Sequence, residues 1–95
     1  MVEQFIVVTE ILLIDERIAS RSTVAVYNDH DTATLHARKA SLWTGTHLGD
    51  GSQSPYDPLL SNVNIDEIWY GVESCLKFDS FEEFGLLQAT GKLNG

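Results

Sequence analysis

The ten residues from Phe5 to Ile14 constrain the fold more than any other stretch of this chain. Phe5, Ile6, Val7, Val8 and Thr9 are followed by Ile11, Leu12, Leu13 and Ile14. β-Branched and aromatic side chains favour extended backbone, and apolar residues at odd and even positions alike leave neither face free for water. The stretch therefore reads as a strand at the centre of a sheet, with cover on both sides. Asp15-Glu16-Arg17 breaks it with a short polar turn. Ile18 to Tyr27 then alternates, placing Ile18, Ser20, Ser22, Val24 and Val26 on one face and Ala19, Arg21, Thr23, Ala25 and Tyr27 on the other. Two strands joined this way form an antiparallel hairpin.

Asn28-Asp29-His30-Asp31 is turn chemistry, and Asp31 or Thr32 can cap a helix that runs to about Trp43. Ala33, Ala37 and Ala40 recur at helical spacing, a stripe that lets the helix lie close on a sheet. Residues 44–62 contain Gly45, Gly49, Gly51, Pro55 and Pro58 with several serines, and read as one long loop. Asn64 to Phe78 fits two patterns. Ile65, Ile68, Trp69, Val72, Cys75 and Leu76 make a helical stripe, while Ile68, Tyr70, Val72, Ser74, Leu76 and Phe78 alternate as in a strand. The strand over roughly Ile68 to Phe78 is favoured, because Asp79-Ser80-Phe81-Glu82-Glu83-Phe84 begins a capped helix directly after it. That helix should end near Ala89, with residues 90–95 as a frayed tail. The expectation is a single α+β domain over residues 1–95, in β-β-α-β-α order, with an at least partly antiparallel sheet and helices on one face.

A chain of 95 residues can bury about two thirds of its unfolded surface and needs no staples. Cys75 is the only cysteine, so no internal disulfide forms; in either pattern it reads as a small buried hydrophobe. Met1 to Ile14 has no basic flank and is interrupted by Glu3 and Glu10, unlike a signal peptide or membrane span. These features point to the cytoplasm, of the producing cell or of a host.

Fourteen acids against six bases give a net charge of −8. Six acids and four bases precede Gly49, for −2; eight acids and two bases follow, for −6. Direct binding to nucleic-acid phosphates or to anionic membranes needs the opposite sign. A protein partner with a basic surface, such as a nucleic-acid-binding complex, fits better.

Catalytic and metal-binding patterns are weak. His30 and His36 flank the helix start beside Asp29 and Asp31, but Asp31 and His36 do not share a helix face. The Gly-rich run from Thr44 to Ser52 holds no lysine and does not lead from a strand into a helix. Adjacent carboxylates such as Asp66-Glu67 and Glu82-Glu83 diverge. No enzyme, cofactor or metal site is expected. Trp69, Phe81 and Phe84 read as core, and Tyr56 beside two prolines as exposed.

The expectation is a small acidic protein-binding module, an inhibitor or adaptor of the kind found among immunity proteins, antitoxins and phage-encoded anti-defence proteins. Its partner-binding residues would be Asp50, Tyr56, Asp57, Asp66, Glu67, Tyr70, Glu82 and Glu83. One alternative is a small ligand-binding or enzymatic domain using the Gly-rich loop and histidines. Another is a structural protein that extends its sheet across a two-fold axis.

Overall fold

The computed structural model describes residues 1–89. Elements follow in the order β1 (Val2–Leu13), β2 (Ser20–Tyr27), α1 (His30–His47), β3 (Ile65–Lys77) and α2 (Phe81–Ala89). The strands form one antiparallel sheet in the order β2-β1-β3, so the apolar stretch near the N-terminus is indeed central. Residues 90–95, read from sequence as a tail, lie outside the described residues.

Phe5, Val7, Thr9 and Ile11 of β1 share a face with their neighbours Tyr27 and Ala25 of β2 and Tyr70, Val72 and Ile68 of β3. On this face Val7 and Tyr70 meet Ala33, Ala37 and Ala40 of α1 in the core. The alanine stripe brings the helix backbone close to the sheet, mainly over β1 and β3. Val7 pairs with Ala25 but Val8 pairs with Thr23, so Val24 is the extra residue of a β-bulge. The bulge resets the alternation of β2, and the regular two-face pattern read across Ile18 to Tyr27 holds only on either side of it.

The helix starts and ends differently from the sequence expectation. Asp29, in extended conformation, is the N-cap. Its carboxylate accepts from the Thr32 backbone N–H at 2.8 Å and the Thr32 hydroxyl at 2.7 Å, which holds it below the ordinary 3.8. Asp31 lies inside the first turn, where a negative charge still favours the dipole. At the other end α1 continues to His47, through Gly45. The His47 ring stacks on Trp43 at 4.1 Å and its Nδ1–H donates to the Trp43 carbonyl at 2.8 Å. Both contacts join residues four apart and hold the last turn together. The loop thus begins after His47.

Residues 48–64 form a closed loop. The buried Asn62 binds both of its ends: its amide donates to the His47 carbonyl at 2.7 Å, and its side-chain oxygen accepts from the Gly49 N–H at 3.0 Å. Gly51 N–H donates to the Asn62 carbonyl at 2.7 Å. Gly49 and Gly51 have φ of +73° and +83°, a region that glycine enters without strain. Midway, His36 clamps the loop to the sheet: its Nε2–H donates to the Tyr56 carbonyl at 2.6 Å, and its Nδ1 meets the Tyr27 hydroxyl at 2.7 Å.

The second face of the sheet carries Gln4, Ile6, Val8, Glu10 and Leu12, and no element covers it among the described residues, so the cover expected on both sides of β1 is present on one side only. Val8 is nevertheless buried. Arg21 reaches across β1 to pair with Glu10 and Glu73, and the Trp69 indole lies against Gly71, the residue opposite Val8. Trp69 is therefore a half-exposed lid on this face rather than core. Cys75 sits on the same face opposite Gln4, half-buried rather than enclosed. Among the described residues α2 packs against no other element, and Phe81 is 86% exposed, so it too is not core. Phe84 is half-buried against Phe78, with ring centroids 5.0 Å apart.

Candidate functional site

The register shows which carboxylates meet. Antiparallel pairing sets Leu13 of β1 against Ile65 of β3, and the Ile14 N–H donates to the Asn64 carbonyl at 2.9 Å. The β1–β2 turn with Asp15 and Glu16 therefore abuts the start of β3 with Asp66 and Glu67. The bond between Gly51 and Asn62 brings Asp50 to the same end. α1 also ends here, and the negative end of its dipole adds to the field. Three chain segments thus converge on one end of the molecule with five acids; Arg17 is the base of that turn.

The same end is unusually apolar for a charged surface. Ile18 is 81% exposed and Ile14 63%, and Leu48, Leu59 and Val63 are exposed as well. These exposed apolar side chains share the end of the molecule that carries the acids. An open cavity of about 480 Å³ on this side is lined by Glu10, Leu12, Ala19, Leu48, Glu67 and Trp69, among others. Asp50 is held ionised by the hydroxyl and backbone N–H of Ser52, which place its carboxyl below the ordinary 3.8.

Of the residues expected at a binding surface, Asp50, Asp66 and Glu67 belong to this end. Asp57 and Tyr70 do not: both are buried, and the Tyr70 hydroxyl donates to the Asp57 carboxylate at 2.9 Å. Burial, reinforced by that carboxylate, pushes the Tyr70 phenol up to about 12. The pair fastens the loop to β3 under α1, beside the buried hydroxyls of Thr9 and Thr44. Tyr56 is half-buried against His36, away from the acidic end. Glu82 and Glu83 lie beyond the opposite end of β3, where Glu83 pairs with the N-terminal amine. The length of β3 separates them from Asp66, roughly 35 Å at strand rise. The negative half of the sequence is thus divided between two ends of an elongated molecule of 50 × 29 × 21 Å.

Asp15, Glu16, Ile14 and Ile18 were not anticipated at the site. The signal that finds them is topological: once β3 pairs with β1 antiparallel, the β1–β2 turn must border the residues that open β3.

The histidines do not converge. His30 meets Phe5, with ring centroids 5.2 Å apart; His36 lies between Tyr27 and Tyr56; His47 stacks on Trp43. Among the described residues no three His, Cys, Asp or Glu side chains are grouped to hold a metal, and no helix is long and apolar enough to cross a membrane. No family model, curated protein or solved structure matches the chain.

Proposed function

We propose that this protein is a binding module that docks a basic protein surface onto its acidic, apolar end. The observation that carries the reading is the convergence of Asp15, Glu16, Asp50, Asp66 and Glu67 with exposed Ile14, Ile18, Leu48 and Val63. The carboxylates steer a positively charged partner and set its orientation. The apolar side chains supply the desolvated centre that charge alone does not give. A partner that uses Lys and Arg to hold phosphates would have that surface covered, so the module acts as an inhibitor or adaptor of a nucleic-acid-binding protein. No chemistry is required of the module itself.

The test is affinity capture from an extract of the producing cell at low salt, with the intact chain as bait. A triple variant, Asp15→Lys, Glu16→Lys and Asp66→Lys, serves as the control surface. The reading expects a basic protein that the triple variant fails to retain and that heparin, a polyanion, displaces. Equal capture by both baits contradicts it, as does a captured protein indifferent to heparin.

A further inference from the structure

The two edges of the sheet are built differently. β2 is eight residues long and bulged at Val24, and the loop residues Leu59, Leu60 and Ser61 lie against Ser20 and Ser22 at one end of it. Short length, a bulge and loop cover are the usual ways of blunting an edge. β3 is long, its one bulge, at Asp66, lies at its very start, and no loop lines its outer side among the described residues. It runs for thirteen residues without proline, and no strand pairs with its outer edge among the described residues. Its free backbone groups border a groove against α1, lined by His30, Thr34, Arg38, Leu42 and Val72. Leu42 is 68% exposed there among the described residues.

We infer that the occupant of this edge is a second copy of the chain, with the two β3 strands paired antiparallel about Gly71 to form one six-stranded sheet. Gly71 is the midpoint of β3, with six residues on either side. Pairing about it sets the outer backbone groups of the two strands opposite one another from Glu67 to Cys75, inside the bulge at Asp66. The strand is also polarised, with Asp66 and Glu67 at its start and Lys77 at its end. In this antiparallel register Glu67 sits diagonally across from the partner's Lys77, twice over by symmetry. A parallel register would instead align like charges. Glu73, which faces Trp69 across the seam, is already neutralised by Arg21. Both α1 helices lie on the same face of the joined sheet, biased toward β3. From strand spacing their axes fall roughly 10–14 Å apart, which brings the exposed Leu42 side chains together over the seam. The interface is separate from the docking reading above, apart from Glu67.

The experiment is sedimentation and light scattering of the intact chain over roughly 1 to 200 µM, where a dimer forms by mass action. The expected species has twice the 10.6 kDa chain mass and dissociates on dilution. Leu42→Glu, at an exposed helix position that glutamate suits, is expected to give a folded monomer by circular dichroism. Lys77→Glu is expected to weaken the dimer by about threefold or more, and the double variant Lys77→Glu/Glu67→Lys to restore it. A monomer at every concentration overturns the inference and leaves the edge to a segment of another protein. A dimer indifferent to Leu42→Glu, or one that the double charge swap does not recover, overturns it equally. Capture of a basic partner by the Leu42→Glu variant separates the two readings: its failure would touch the docking surface, not the sheet edge.

Discussion

At the residue scale, the pair Asp57–Tyr70 shows how a carboxylate that looks like surface charge becomes a structural fastening. Asp57 lies in a polar, proline-flanked segment, yet it is buried, and among the described residues its side chain is bonded to Tyr70 alone. Tyr70→Phe removes the donor and leaves the carboxylate buried without a partner, at a cost of about 3 kcal/mol. Chemical denaturation at pH 7 reads that loss directly. The phenol also links stability to alkali. Its folded pKa of about 12 lies above the ordinary 10, so the native state favours the protonated form. That contribution is complete below pH 10 and is lost as pH rises from 10 to 12. The wild-type melting temperature should fall across that window, and Tyr70→Phe should flatten that part of the profile. A second residue, Asn62, ties the end of α1 to the loop through its side chain and receives the Gly51 N–H on its carbonyl. Asn62→Ala should cost about 2 kcal/mol and speed amide exchange at Gly49, whose acceptor is the lost side chain.

At the scale of elements, α1 owes its position to the smallness of its buried face. Ala33 and Ala40 have no exposed surface, and the helix backbone lies close on β1 and β3. Ala40→Leu must push the two layers apart and should destabilise by roughly 1–3 kcal/mol, while a leucine at the exposed Ser41 should be close to neutral. Thermal melts of the two variants separate overpacking from any change in helix propensity. Much at this scale was legible in the sequence. Apolar residues on both faces of Phe5–Ile14 require a central strand, and the alanine spacing requires a helix laid flat on it. The capped start at Asp79–Phe84 decided β3 over a helix. Other features depended on contacts between distant residues. The bulge at Val24 comes from how β2 meets β1, and the extension of α1 past Gly45 comes from the Trp43–His47 stack and from Asn62. Trp69 lies over Gly71 of its own strand and stays half-exposed, so its hydrophobicity misled as to burial.

At the scale of the whole molecule, the charge imbalance of the second half of the chain did not translate into one surface. Asp66–Glu67 and Glu82–Glu83 are held apart by β3 itself, while Asp15 and Glu16 from the less acidic half join the first pair. A count along the sequence locates the excess; only the register of β1 with β3 locates the field. What forms is one end where carboxylates, a helix C-terminus and exposed isoleucines coincide. Negative charge of this kind repels nucleic acid and anionic lipid, and the proposed basic partner rests on that field.

The most direct measurement is the affinity of the captured basic partner for the intact protein as salt is raised from about 50 to about 500 mM, for wild type and for Asp15→Lys/Glu16→Lys. If the acidic end is the docking surface, wild-type affinity falls by about tenfold or more over that range, and the variant binds weakly throughout with a shallower salt dependence. Equal affinity and equal salt dependence for the two proteins would contradict the account.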